Sequence, residues 1–315
     1  MKPRVAVIDA GSNSIKALVA EPDGGPHGLR EVFEETLEVR ISQGIGGEPP
    51  LLRADRIEAG AQAVAELWRH CHAHGPLQDF RIVATSALRS ASNGHLFIGA
   101  VEVLTGCAPV VLTGAEEADG IALGVRTDPG IDPRLADFTL FDLGGGSLEL
   151  IRFEHHGVTG RTSLPLGAVR LTEQFIRDPA RPVPQAELQA IAGHVRKSIA
   201  ATGLRVRAPL VGCSGGLAVL RELYARRHGL PFAGKAVLIE RAYIEALGRL
   251  VPAQDLAQRI RDSGLPPGRA DIFPAALTVF QVILELAGAD GLLHSLHNLR
   301  YGLALRMLKG EPLGQ

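Results

Sequence analysis

Two hairpins of one kind, one in each half of the chain, constrain what it can fold into more than any other feature. In the second half, Phe138 to Phe153 reads FTLFDLGGGSLELIRF. An apolar run ends in Asp142, three glycines follow, and Leu148, Leu150 and Ile151 resume an apolar pattern that carries one acid, Glu149. That is the pattern of strand, tight turn, strand. Glycines gather where the backbone takes φ > 0 or lets a ligand approach it, and successive N–H groups in such a turn form a concavity that attracts anions. On this segment alone, a ligand-free glycine-rich hairpin serves equally well. Near the N-terminus, VAVIDAGSNSIKALVA repeats the arrangement. Aligning Asp9 with Asp142 sets Gly11 on Gly144 and Ser14 on Ser147. Neither turn has the Lys-Ser or Lys-Thr of a P-loop, and neither opens the helix that a dinucleotide-binding turn needs. The repeat therefore predicts two related α/β domains that grip a polyphosphate from opposite sides.

Further along the chain, ATSALRSASN, LTGAEEADGIALGV and SLPLGAVRLTEQF join VIDAGSNSIKALVA and FDLGGGSLELI as ordered motifs. Asp-x-Gly followed by Ser in a repeated hairpin resembles the actin-like ATPase fold. The five motifs together, from Val5 to about Met307, resemble the exopolyphosphatase and guanosine pentaphosphate phosphatase family. The resemblance implies an α/β fold of two related actin-like ATPase (ribonuclease H-like) domains with the active site in the cleft between them. The first domain is expected over 1–126 and the second over 127–299, with a last helix at 300–315 crossing back to the first. It also implies removal of a terminal phosphate from inorganic polyphosphate or guanosine pentaphosphate, by metal-assisted attack of water.

On that resemblance Glu117 is the catalytic acid. Thr85 or Ser86 would cap a helix whose N-terminus offers an anion contact, and Arg89, one turn in, would reach toward a phosphate. Gly11, Ser12, Asn13 and Ser14 in one turn, and Gly144, Gly145, Gly146 and Ser147 in the other, would supply phosphate donors. Asp9, Asp142 and Glu149 are hard oxygen ligands suited to Mg²⁺ or Mn²⁺. Turn capping by the two aspartates is the plainer alternative. Glu116 and Glu117 are about 100° apart on a helix, so Ile121 and Val125 would share a buried stripe with Glu117, while Glu116 and Asp119 lean to solvent. The chain departs from the family pattern at Leu148, Gly216, Ala218 and Tyr301, where Thr, Thr, Arg and an acid are usual. These departures bear on substrate recognition and leave open a catalytically weak sensor of the same anions. A kinase of the same fold is a third reading, against which the altered loop at Gly216 and Ala218 counts.

The 315 residues are 46% hydrophobic and 21% charged, enough for two cores in an ordinary globular protein. The formal net charge of −1 gives no general pull toward nucleic acid or a membrane surface. Arg196, Lys197, Arg205, Arg207, Arg226, Arg227 and Lys235 could supply local positive charge, although each taken singly reads as a solvated position. No apolar run is long enough to span a bilayer, and a strand begins directly after Arg4, so a cytoplasmic protein is expected, with a homodimer implied by the family alone. Cys71, Cys107 and Cys213 have neither disulfide nor zinc spacing and are expected to be buried thiols, with Cys213, in a glycine-rich loop, the one that could instead be accessible. His70 and His74 lie one helical turn apart with no acid in sequence beside them, and read as surface histidines.

Overall fold

The fold is built on two sheets of the same topology. The computed structural model describes residues 2–25, 27–45, 47–232, 234 and 236–312; Lys235 lies outside them. The first part of the chain supplies β1 (Val5–Ala10), β2 (Ser14–Pro22), β3 (Leu29–Glu38), α1 (Ala54–Ala73), β4 (Asp79–Ala84), α2 (Ser86–Ser90), α3 (Gly94–Thr105), β5 (Val110–Val111) and α4 (Gly114–Arg126). The second supplies β6 (Phe138–Leu143), β7 (Leu148–Glu154), β8 (Gly157–Leu164), α5 (Ala168–Phe175), α6 (Gln185–Ala201), β9 (Leu210–Gly212), α7 (Gly215–His228) and β10 (Leu238–Glu240). It continues through α8 (Arg241–Leu250), α9 (Leu256–Arg261), α10 (Phe273–Ala287) and β11 (Gly291–His294), and α11 (Leu299–Leu308) follows. Two compact units result, Met1–Asp128 with His297–Gln315, and Pro129–Leu296.

In the first unit the strand order is β3-β2-β1-β4-β5, with β1 to β3 antiparallel and β1, β4 and β5 parallel. In the second, β8-β7-β6-β9-β11 repeats that order and those directions, and β10 adds an antiparallel edge. Strands β1 and β2 are buried on both faces, which is why they read as continuous apolar runs and not as alternating ones. Ile8, Ile15 and Val19 pack with Val64 and Leu67 of α1 and Phe97 of α3. In the second unit, Phe141, Leu148 and Leu150 share a core with Leu171, Ile191, Val195, Leu217 and Phe280.

The last helix belongs to the first unit because glycines let it approach α4 at backbone distance. A Cβ on Gly302 would lie 1.9 Å from the carbonyl oxygen of Gly120, and one on Gly124 would lie 2.0 Å from that of Asn298. Arg300 is then buried and donates to the carbonyl of Ala17 at 2.7 Å and to Glu34. Tyr301, also buried, donates its hydroxyl to Glu31 at 2.5 Å and stacks on His297 with centroids 3.7 Å apart. Burial pushes His297 down to about 4, so its ring is neutral at pH 7. The Thr127 hydroxyl spends its proton on the Gly124 carbonyl at 2.6 Å, so His297 Nδ1, 2.7 Å from that oxygen, is the donor.

Several expectations change. The helix expected after Thr85 is there but has only five residues, Thr85 makes no side-chain cap bond, and a separate helix, α3, starts at Gly94. The break is held by Asn93, whose side chain exchanges 2.8 Å hydrogen bonds with both backbone groups of Leu52, and by Ser92 N–H on the Pro50 carbonyl at 2.9 Å. Cys213 is buried, not accessible, and burial pushes the Cys71 thiol up to about 12. His70 has an acid beside it after all: Glu35 of β3 lies 2.6 Å from Nδ1, brought there by the tertiary fold. His74 stacks on Phe33. Among the described residues, no helix is long and apolar enough to cross a membrane.

Gly302→Ala should destabilise the protein by about 2 kcal/mol or more, because a methyl cannot fit between two backbones. Gly193→Ala, where nothing lies within 4 Å in mid-helix, should instead stabilise by about 0.5–1 kcal/mol. Thermal melting of the two variants beside the parent checks both signs; equal melting temperatures would remove the close approach as the anchor of α11.

Candidate functional site

Each unit gathers its candidate residues at the carboxyl ends of its parallel strands, where open α/β sheets leave a crevice for ligands. In the first unit β1 leads to Gly11, β4 to Arg89 and β5 to Glu117. In the second β6 leads to Gly144 and β9 to Ser214.

The two hairpin turns are closed by the same bond, Gly11 N–H to the Ser14 carbonyl at 3.1 Å and Gly144 N–H to the Ser147 carbonyl at 2.9 Å. A Cβ on Gly11 would come within 2.9 Å of the Ser14 oxygen, so the first turn is too tight for a side chain there. In the second turn the carbonyls are consumed by α5. Ala168 N–H binds the Gly144 oxygen at 2.9 Å, Val169 and Arg170 N–H bind that of Gly145 at 2.9 and 3.2 Å, and Arg170 Nε binds that of Gly146 at 3.2 Å. A trans peptide unit sends its C=O and N–H in opposite directions. The amides of Gly145, Gly146 and Ser147 therefore point away from α5 as three successive donors, although none of the four turn residues takes a left-handed φ. Gly167 makes this possible, since a Cβ there would sit 2.2 Å from the Gly146 nitrogen.

The first turn is held from the other side by the segment after β3. The Ser12 carbonyl accepts from Ser42 N–H at 3.2 Å and from its hydroxyl at 3.1 Å, and the Asn13 carbonyl accepts from Val39 and Arg40 N–H at 3.2 and 2.9 Å. By the same reasoning the Asn13 amide faces away from that segment. Asn13 Oδ1 accepts from Arg40 Nε–H at 3.3 Å, while Nδ2 is buried with no partner among the described residues. Ser12, Asn13, Ser14 and Ser147 are all buried, and so preset.

The acids differ between the turns. Asp9 is half-buried as a residue, but its Oδ1 is buried with no hydrogen-bond partner among the described residues, and desolvation raises its pKa against the opposing pull of Lys16 and Arg300. Lys16 stands directly across from Asp9 in the β1–β2 register, whereas the matching pair in β6–β7 is Asp142 and Glu149, two acids. Glu149 is buried and accepts from the Ser163 hydroxyl at 2.7 Å. Like charges placed directly across a strand pair repel unless a cation or proton intervenes. Among the described residues no group of three or more His, Cys, Asp or Glu forms a ready-made metal cage. The orphaned Asp9 oxygen in the first unit and, separately, the Asp142–Glu149 pair in the second are hard donors of the kind Mg²⁺ takes, one or two carboxylates with water and phosphate in its other positions.

Glu116 and Glu117 have separate tasks. Thr113 caps α4: its N–H and hydroxyl donate to Glu116 Oε2 at 2.7 and 2.8 Å, and its oxygen accepts from Glu116 N–H, a reciprocal capping box. Glu117 is buried beside Ile121 and Val125, with Oε2 2.9 Å from Arg89 Nη1. The same Arg89 nitrogen donates to the Leu112 carbonyl at 2.7 Å, so it is anchored to the end of β5 as well as to the acid.

Sequence reasoning passed over Lys16, Gly167, Arg170 and Ser163. Lys16 could have been found by extending the alignment of the two hairpins two residues past Ser14; the other three carry no local signal. Of the departures from the family pattern, Leu148 is fully buried in the second unit's core, on the sheet face opposite Asp142 and Glu149. Tyr301 is a packing residue against His297 and Glu31. Gly216 lies in the first turn of α7, where an added Cβ would meet nothing closer than Phe280 at 3.4 Å, so no backbone constraint requires glycine.

A profile of the Ppx/GppA phosphatase family matches residues 18–311. The chain is 32% identical, over 96% of its own length and 98% of the relative's, to an exopolyphosphatase 2 of Mycobacterium tuberculosis. It is 28% identical, over 97% of its length, to a guanosine-5′-triphosphate,3′-diphosphate pyrophosphatase of Vibrio vulnificus, of which it spans 59%. In three dimensions it resembles an exopolyphosphatase from Cytophaga hutchinsonii (TM-score 0.87, 22% identity, 99% of this chain and 100% of that one). It also resembles a Ppx/GppA family protein of Aquifex aeolicus (TM-score 0.78, 23% identity, 98% and 99%).

The raised pKa of Asp9 has a sign that can be measured. A carboxyl that holds its proton more tightly folded than unfolded contributes stability that is complete below the ordinary carboxylate range and is lost as pH rises through its own raised value. In excess chelator, Asp9→Asn should therefore melt above the parent at pH 7 and converge with it in acid. A variant that melts below the parent at pH 7 would contradict the desolvation argument.

Proposed function

The chain belongs to the Ppx/GppA phosphatase family and is a hydrolase, and on that premise we propose that it releases terminal orthophosphate from inorganic polyphosphate or from guanosine pentaphosphate. The observation that carries the reading is that α5 takes the carbonyls of Gly144, Gly145 and Gly146, which leaves the amides of Gly145, Gly146 and Ser147 turned away from it; in this reading those amides cradle phosphate oxygens. In this reading the turn at Gly11–Ser14 holds the same chain of phosphates through the Asn13 amide and its orphaned Nδ2. Glu117, anchored by Arg89, orients the attacking water and accepts its proton. The water oxygen bonds in line to the terminal phosphorus as the bond from that phosphorus to the bridging oxygen breaks, and the shortened chain leaves with the negative charge that develops on its bridging oxygen held by backbone donors.

Asp9, Asp142 and Glu149 would hold a divalent cation, Mg²⁺ or Mn²⁺, directly or through water. When bound, such an ion neutralises charge on the phosphate oxygens. A cytoplasmic location and a homodimer accompany this reading as expectations of the family. The names of the Mycobacterium and Vibrio relatives support the two substrate classes. With Gly216 and Ala218 where Thr and Arg are usual, contacts outside the phosphate turns are the depleted ones. Inorganic polyphosphate is then handled at least as well as the guanosine nucleotide. A specificity constant for pentaphosphate well above that for polyphosphate would overturn this preference.

Orthophosphate release from polyphosphate, guanosine pentaphosphate and ATP, each with and without Mg²⁺, tests the function. Excess chelator should abolish release, and Asp142→Ala should weaken activity together with its response to metal; undiminished turnover in chelator would reject the cation. Glu117→Gln should lose on the order of 10²–10⁴-fold in turnover while still binding substrate. Glu116→Gln should keep its turnover and lose only about 0.5–1 kcal/mol of stability through its cap. Equal losses of turnover in the two variants would assign the wrong acid.

A further inference from the structure

Among the described residues, three that are not glycine take a left-handed backbone: Arg40 (φ 57°), His155 (φ 51°) and His156 (φ 65°). The two histidines form the two-residue turn between β7 and β8, where the twist of a hairpin calls for positive φ. Arg40 belongs to no such turn. It follows the end of β3, and a backbone that is costly for a residue with a Cβ persists only where its surroundings over-determine it. Beyond it Ile41, Ser42 and Ile45 are buried, and the Arg40 carbonyl accepts from Gln43 N–H at 3.0 Å.

What this conformation achieves lies on the side of the first turn. Val39 and Arg40 together oppose one residue, Asn13, with both N–H groups on its carbonyl at 3.2 and 2.9 Å. Two residues against one is the arrangement of a β-bulge, which re-aims the side chain it carries. Here the Arg40 side chain is aimed at Asn13, and Nε donates to Oδ1 at 3.3 Å. A guanidinium has donors and no acceptor, so it takes the oxygen end of the planar amide. The nitrogen end, Nδ2, is thereby set on the other side, buried and with no partner among the described residues. Asn13 is 5% exposed, so solvent does not compete for either end. An acceptor in place of Arg40 would hold the amide the other way round and present an oxygen, which repels phosphate.

We propose that Arg40 is a positioning residue for phosphate recognition, holding the Asn13 amide with its N–H groups, and not its oxygen, toward the phosphate chain. The ligand class rests on the phosphatase reading; the binding test does not depend on turnover. Tripolyphosphate binding is measured by titration calorimetry on the full chain carrying Glu117→Gln, with Arg40→Gly, Asn13→Ala and both together. Glycine adopts the left-handed backbone at no steric cost, so the loss is confined to the guanidinium. Arg40→Gly should weaken binding about tenfold, as for a lost hydrogen bond to a charged group. In the Asn13→Ala background, where only the charge of Arg40 remains to be lost, the same substitution should cost less than about twofold. Arg40→Lys, which keeps a donor, should recover most of the loss. In the active protein, Arg40→Gly should raise KM for tripolyphosphate while kcat stays within about twofold. If Arg40→Gly does not fold, Arg40→Met, which keeps the length and backbone of the parent, takes its place in the cycle. Equal losses in the two Asn13 backgrounds would overturn the proposal, since Arg40 would then hold the anion itself. Unchanged affinity with a lowered melting temperature would also overturn it, as the mark of a purely structural residue. Absence of orthophosphate release by the parent would instead strike the phosphatase reading, and the binding cycle would still judge Arg40.

Discussion

A planar trans peptide must show its carbonyl and its N–H to opposite sides, and both phosphate turns depend on that single constraint. Something has to take the carbonyls before the amides can face a ligand. In the second unit this is α5, whose first N–H groups would otherwise lack partners. The helix start and the glycine turn thus satisfy each other, and Gly167 admits the contact by having no side chain. In the first unit the segment at Val39–Ser42 does the same work for Ser12 and Asn13. The cradles are therefore properties of what lies behind them as much as of the glycines themselves.

The acid in the first turn is tied to closure of the first unit. Arg300 reaches Ala17 and Glu34 only because α11 lies on α4 at the distance that Gly120, Gly124 and Gly302 allow, and from there its charge bears on Asp9. A buried carboxylate with an orphaned oxygen costs several kcal/mol in isolation. Lys16 across the hairpin and Arg300 behind it offset part of that cost, and a cation would offset more. The second unit solves a different problem, with Glu149 in place of the lysine and Ser163 donating to it. Two hairpins of identical backbone register thus differ in charge.

Adjacent acids at the start of α4 divide their roles by the same helical geometry that makes them neighbours. Glu116 turns back to close the capping box, where its charge complements the helix dipole and the first free N–H groups. Glu117, about 100° around the helix, is carried into the buried stripe of Ile121 and Val125, where only a charged partner could make its burial tolerable. Arg89 is that partner, and its bond to Leu112 ties it to the same strand end from which α4 begins. A fixed, partly dehydrated carboxylate is what orientation of a water requires.

Much was legible in the chain before any contact was known. The hairpins, their Asp, Gly and Ser positions, the helix from Thr113 and the buried stripe below Glu117 follow from periodicity, turn chemistry and repetition, because these act between residues close in sequence. Tertiary structure alone decided which elements stand behind the turns and that Leu148 turns into the core. It alone set Glu35 against His70 and brought Tyr301 to Glu31. Each of those outcomes is a contact between segments far apart in the chain, set by the packing of whole faces against one another, and no local pattern encodes which distant backbone will lie where a missing Cβ leaves room.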